Sequence, residues 1–248
     1  MELENMTAIV TGAGNGLGLG IAKKLFEEGA RLALWDMNFD SVKKLAREFD
    51  LYGEKTIALE VNVTHEQAVQ SAVTKTMEKF GRIDVLVNNA GISRHTTLEE
   101  MTLEIWEAVI QVNLTGTFLC CKAVAPIMKQ QKFGKIVNIA SLGGRTGRPG
   151  VGVNYAASKG GVIGLTKLLA KELGSHSIYV NAICPGPVLT EQTKQYPREV
   201  YESWNAGRAV PKDGLPEDIG DAVIFLASHR SDWITGISLD INGGIFIG

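Results

Sequence analysis

A tyrosine and a lysine set four residues apart, Tyr155 and Lys159, carry the most pointed chemistry in the chain. The stretch around them, Asn154-Tyr155-Ala156-Ala157-Ser158-Lys159-Gly160-Gly161, reads as helix, where that spacing stacks both side chains on one face. An ammonium held beside a phenol favours the phenolate and lowers a pKa that is ordinarily about 10. Such a pair can take a proton from an alcohol or return one to a ketone oxygen. On a solvated helix face it would do nothing. Its meaning therefore depends on the elements that bring a hydride carrier and a substrate to it.

Those elements begin near the N-terminus. Thr11-Gly12-Ala13-Gly14-Asn15-Gly16-Leu17-Gly18 follows an apolar strand and opens a helix, the setting that a phosphate-cradling loop requires. The glycines let the backbone approach a pyrophosphate, and the helix start supplies free N–H groups and a positive dipole. Further on, Arg31-Leu32-Ala33-Leu34-Trp35 ends in Asp36. A carboxylate there accepts hydrogen bonds from adenosine ribose hydroxyls and repels a 2′-phosphate. Neither Asn15 in the loop nor Met37 and Asn38 after the strand offers a cation to such a phosphate, so NAD is the expected cofactor.

Strand-like runs at 7–11, 31–35, 56–61, 85–87, 135–139, 179–183 and 237–241 alternate with helix-like segments. The latter lie at 16–28, 41–49, 65–80, 102–130, around Tyr155 and at 217–227. This alternation predicts an α/β fold: a single doubly wound Rossmann domain over residues 1–248, with about seven parallel strands and helices on both faces. Ligands then bind outside the carboxyl ends of the strands. Thr64 reads as the N-cap of the third helix.

Composition removes other classes of function. The 25 basic residues against 27 acidic ones give no electrostatic basis for binding nucleic acid or an anionic membrane. No apolar run approaches the roughly 18 residues that span a bilayer, and Met1-Glu2-Leu3-Glu4 is unlike a signal peptide. A cytoplasmic protein is expected, and three cysteines without metal-like or bridging spacing suit that compartment. His65, His176 and His229 read as turn residues rather than ligands, so no metal is expected.

With these motifs in order, the chain resembles the short-chain dehydrogenase/reductase family nearly end to end. The glycine pattern Thr-Gly-x-x-x-Gly-x-Gly is the family's own, and Asn62-Val63 resembles its adenine-flanking pair. Asn88-Asn89-Ala90-Gly91 resembles its cofactor-wall motif, Asn113 its helix-borne active-site asparagine and Ser141 its serine. Pro185-Gly186-Pro187-Val188-Leu189-Thr190 is similar to the segment that holds the nicotinamide carboxamide. The resemblance implies hydride transfer between NAD and a carbinol carbon, with Tyr155 as general acid or base and Lys159 binding the nicotinamide ribose. Ser141 would hold the substrate oxygen, and Asn113 would hold a water for proton relay. Cofactor contacts are expected from Gly12, Asn15, Gly16, Leu17, Gly18, Asp36, Asn62, Val63, Asn89, Gly91, Tyr155, Lys159, Pro185, Gly186, Val188 and Thr190. A homotetramer, or a homodimer, is also implied. One departure is that Ser141 precedes Tyr155 by 14 residues, one more than is commonest, which places an extra residue in the loop 142–153.

For the substrate, residues 191–215 occupy the family's lid position, with Tyr196, Tyr201, Trp204, Arg208 and Lys212. Arg94 and His95 resemble the basic pair of the family's sugar-acid dehydrogenases. Arg94, Arg145 and Arg148 are expected to converge at the pocket mouth as a cationic rim for a sugar acid or related anion. A neutral polyol, a simple ketone or a 3-oxoacyl compound is the competing substrate, and a cofactor-binding protein without turnover the competing class.

Overall fold

Each apolar run forms a strand and each longer segment a helix: β1 Thr7–Thr11, α1 Gly16–Glu27, β2 Arg31–Asp36, α2 Phe39–Phe49, β3 Thr56–Glu60, α3 Glu66–Phe80, β4 Val85–Asn88, α4 Leu103–Ile110, α5 Gly116–Gln131, β5 Gly134–Ile139, α6 Leu142–Thr146, α7 Val153–Leu173, β6 Ile178–Pro185, α8 Arg198–Trp204, α9 Pro216–Ala227 and β7 Ser238–Ile241. The computed structural model describes residues 1–148 and 150–248. One sheet runs β3-β2-β1-β4-β5-β6-β7, and every pairing in it is parallel.

The strands read as unbroken apolar runs because both faces of the sheet are covered. Ala8 and Val10 pack with Ile21 and Leu25 of α1 and Ile219 and Val223 of α9, while Ile9 between them packs with Val69 and Val73 of α3 and Val124 and Met128 of α5. Each of the larger side chains so buried contributes about 1.5–3 kcal/mol. Helices α1 and α9 approach closely because Gly20 has no side chain: a Cβ there would stand 2.3 Å from Pro216 Cβ.

The strand order reverses direction at β1 and β4, and the crevice for ligands opens beyond their carboxyl ends. Asn89 ties the two loops there, its Nδ2 donating to the carbonyls of Thr11 and Gly12 at 3.0 Å each. Inside the sheet, Asn88 Nδ2 donates to Asn138 Oδ1 at 2.8 Å, and Asn138 Nδ2 donates to Thr166 Oγ1 at 2.9 Å. This polar ladder registers β4, β5 and α7, although the buried Asn88 Oδ1 has no hydrogen-bond partner among the described residues.

Four expectations change. The helices expected over 102–130 form one continuous helical rod with a π turn at Gln111–Thr115. Taken whole, Leu103–Gln131 is long and apolar enough to cross a membrane, but Val109, Cys120, Cys121, Val124 and Met128 are buried in the core here. The loop after Ser141 contains α6, and the lid region contains α8. Thr64 does not cap α3: His65 holds the N-cap position, and the Thr64 hydroxyl donates to Asn62 Oδ1 at 2.8 Å.

Candidate active site

A cleft of about 730 Å³ lies outside the carboxyl ends of the central strands. At one end is the glycine loop. Asn15, the N-cap of α1, makes no side-chain cap bond, and no acid stands in the helix's first turn, so the first-turn N–H groups and the positive helix end face the cleft without an internal anion. Gly12 (φ +64°) abuts the β4 loop, where an added Cβ would meet Ala90 Cα at 2.9 Å. Gly18 packs so tightly that a Cβ would stand 2.0 Å from the Gly12 carbonyl oxygen. This cradle of backbone amides fits a pyrophosphate.

Asp36 closes the same end. Its Oδ2 accepts from Gly14 N–H at 2.9 Å and its Oδ1 from Asn38 N–H at 2.9 Å, which fixes the carboxylate at the end of β2 beside the loop. Asn62 is committed on its oxygen side, since Oδ1 accepts from both the N–H and the hydroxyl of Thr64. Its free donors are therefore what remain for an adenine edge. Gly12, Asn15, Gly16, Leu17, Gly18, Asp36, Asn62, Val63, Asn89, Gly91, Pro185, Gly186, Val188 and Thr190 all line the cleft.

At the other end stand Ser141, Tyr155 and Lys159. Strand β5 delivers Ser141 just past its last residue, where the Oγ accepts from Gly143 N–H at 3.0 Å and starts α6. Tyr155 and Lys159 lie in the first turns of α7. The Lys159 Nζ is buried, donates to the Ile139 carbonyl at 2.7 Å and sits 5.7 Å from the centre of the Tyr155 ring. Burial pushes Lys159 down to about 8. It also raises Tyr155 above the ordinary phenol value, with the Ser141 hydroxyl acting in the opposite sense. This is opposite to the lowered pKa expected from the pair's spacing: desolvation of the phenolate outweighs the hydrogen bond from Ser141.

Asn113 does not line the cleft; it is buried behind the wall in the π turn. Its Oδ1 accepts from Ile92 N–H at 2.8 Å, and its Nδ2 donates to the Ile92 carbonyl at 3.0 Å and to Ser158 Oγ at 3.1 Å. The side chain expected to hold a water is thus fully used as a clamp, and the Thr117 hydroxyl donates to its backbone carbonyl at 2.8 Å.

The cationic rim does not form. Arg94 lines the cleft. Arg145 turns away to Asp240 on β7, at 3.0 Å, and stacks near Phe246. Arg148 donates to the Trp204 carbonyl at the end of α8, at 2.6 Å. Both meet partners from distant sequence that their loop position alone did not reveal. Asn154, Ile92, Ser93, Gln192 and Thr193 contribute to the site or its walls without having been singled out. For Asn154 a signal was present, a polar residue at a helix position facing inward. Among the described residues, no group of three or more His, Cys, Asp or Glu could hold a metal.

Comparison with known proteins agrees with this geometry. The family model described as enoyl-(acyl carrier protein) reductase matches residues 12–245. The chain is 40% identical over 247 residues to the 3-oxoacyl-(acyl-carrier-protein) reductase FabG of Thermotoga maritima, covering 100% of both chains. It is 42% identical over 244 residues to the protein of that name from Chlamydia muridarum, covering 98% of each. Among solved structures, that of gox2181 superimposes with a TM-score of 0.94 at 34% identity, covering 98% of this chain and 96% of that one. With a doubly wound sheet, a glycine cradle at its switch point and a Tyr-x-x-x-Lys pair facing the same cleft, the chain belongs to the short-chain dehydrogenase/reductase family of nicotinamide-dependent oxidoreductases.

Proposed function

We propose that this protein reduces the ketone of a 3-oxoacyl thioester to the secondary alcohol, using NADH. The observation that carries the substrate class is the end-to-end likeness, at 40% and 42% identity, to proteins named 3-oxoacyl-(acyl-carrier-protein) reductase. A phenol whose pKa is raised by burial stays protonated at neutral pH, as a proton donor to a ketone oxygen must.

When bound, the nicotinamide supplies the hydride. Tyr155 gives its proton to the substrate oxygen, and the Ser141 hydroxyl donates a hydrogen bond to the same oxygen as charge develops. Lys159 holds the nicotinamide ribose and stabilises the phenolate left behind. Asn113 fixes the wall beside Gly91. The glycine loop takes the pyrophosphate, Asp36 the adenosine ribose, Asn62 and Val63 the adenine side, and Pro185 to Thr190 the carboxamide. The preference for NADH rests on Asp36, whose carboxylate is already aimed by two backbone N–H groups and opposes a 2′-phosphate. Residues 191–215, built on α8, form the lid, which Arg148 joins to the Ser141 loop.

A sugar acid is the second reading. Arg94 favours it as the one arginine that the cleft retains among the described residues, but the departure of Arg145 and Arg148 to other partners removes the three-arginine rim that argued for it. Exposed Phe118 on α5, Leu168 on α7 and the fully exposed Trp233 support a homotetramer that covers them. The three free thiols suit the cytoplasm.

The test is NADH oxidation with a 3-oxobutanoyl thioester of N-acetylcysteamine against matched sugar-derived keto acids. Turnover of the thioester with loss of at least about a thousandfold in Tyr155→Phe is expected. Efficient turnover of the keto acids and silence on the thioester would replace this reading with the sugar-acid one.

A further inference from the structure

Asn154 precedes the proposed proton donor in sequence and is 0% exposed, yet no step of the reaction uses it. A buried carboxamide is costly unless its polar groups find partners, and here they do. Its Nδ2 donates to the Arg94 carbonyl at 3.2 Å and to the Ile105 carbonyl at 3.3 Å, and its Oδ1 accepts the Tyr155 N–H at 2.7 Å. One side chain thereby joins the loop after β4, the helix α4 and the first turn of α7. Asn113 grips the other end of the same loop through both backbone groups of Ile92. Between these two clamps lie Ile92, Ser93 and Arg94, which form a wall of the cleft and belong to no helix or strand.

The close approach has a second condition. At Gly152 an added Cβ would stand 2.5 Å from Asn154 Oδ1 and 3.0 Å from the Arg94 carbonyl oxygen, so the loop reaches Asn154 only because residue 152 has no side chain. We propose that Asn154 is a positioning residue that sets the spacing between Tyr155 and the wall Ile92–Arg94, and through that wall the binding of the ketone substrate. This rests on the assignment of Tyr155 as proton donor.

In Asn154→Asp the Oδ1 acceptor and the volume remain, but an oxygen replaces the donor facing two carbonyls. The expected result is a KM for the thioester raised roughly tenfold or more, as for the loss of one or two hydrogen bonds to buried carbonyls. Affinity for NADH, measured by fluorescence titration, should stay within about twofold, because the cofactor end of the cleft is held by other contacts. Deuterium uptake across residues 92–101 should quicken at least about fivefold as the loop opens locally. Gly152→Ala should move KM and exchange in the same direction with Asn154 intact, and it carries the test where the Asp variant does not fold. KM and exchange both unchanged, or NADH affinity falling in step with KM, would overturn the proposal. Exchange is read without substrate, so failure here is distinguishable from failure of the underlying reading, which wild-type turnover in Tyr155→Phe would announce.

Discussion

Changing Gly18 to alanine should weaken cofactor binding about a hundredfold through a shift that can be read from the loop. The new Cβ would lie 2.0 Å from the Gly12 carbonyl oxygen and 2.6 Å from Asn89 Nδ2. An ordinary carbon–oxygen contact is about 3.3 Å, so α1 and the glycine loop must part by about 1.3 Å. Helix α1 cannot simply slide, since Gly20 already stands against Pro216. The loop yields instead, and Asn89 loses its bonds to the Thr11 and Gly12 carbonyls. Two lost bonds of about 1 kcal/mol each and overpacking of about 1–3 kcal/mol predict destabilisation of about 3–5 kcal/mol. Amides displaced by more than 1 Å no longer reach a pyrophosphate oxygen. With two charge-assisted bonds of about 1.5 kcal/mol each gone, affinity for NADH falls about a hundredfold. The control is Gly53→Ala, where φ is +66° but nothing lies within 4 Å; it should cost about 1 kcal/mol of backbone strain and leave binding alone. Titration calorimetry and thermal melts give both numbers. NADH affinity in Gly18→Ala within about threefold of wild type would refute the claim that this loop is the pyrophosphate cradle.

Three further outcomes follow from the site. Because burial holds Tyr155 above the usual phenol value and Lys159 down to about 8, ketone reduction should be level through neutral pH. Above about 8 it should fall, as Lys159 loses the charge that stabilises the developing phenolate; a reduction rate still rising at pH 9 would contradict that role. Asp36→Ala should narrow the preference for NADH over NADPH by roughly tenfold or more, and an unchanged ratio of specificity constants would remove Asp36 from cofactor choice. Arg145→Ala strips the partner from Asp240 Oδ2, while Oδ1 already has no hydrogen-bond partner among the described residues. It should lower stability by about 1–3 kcal/mol, a Tm drop of several degrees, with KM for an anionic substrate unmoved, whereas a rise in KM without loss of stability would restore Arg145 to the pocket.

Features local in sequence were legible. The i,i+4 spacing of Tyr155 and Lys159, the glycine loop between an apolar strand and a helix, and Asp36 at the end of β2 are each written within one element and its turn. Long-range choices were not. Whether Arg145 faces the cleft depends on Asp240, and whether Arg148 does depends on the carbonyl of Trp204, and no periodicity connects those positions. Thr64 has a capping residue's chemistry, but Asn62 two residues before it competes for its hydroxyl and wins. The direction of the Tyr155 shift is hidden for a related reason: residue spacing reports a neighbouring charge but not how deeply the phenol is buried.

The π turn at Gln111–Thr115 has a consequence for how the molecule tolerates change. It holds one residue more than an α-helix would place in that length, which amounts to about 100° of rotation. The two halves of Leu103–Gln131 therefore answer to different neighbours: Ile105 on α4 is in phase with Asn154 and the α7 face, while Cys121, Val124 and Met128 on α5 are in phase with the sheet. Removing a single residue from this turn would let the helix run straight, but it would rotate one of those faces out of phase. The irregular turn thus acts as a phase joint, holding the wall of the cleft and the core of the sheet in separate registers along one continuous rod.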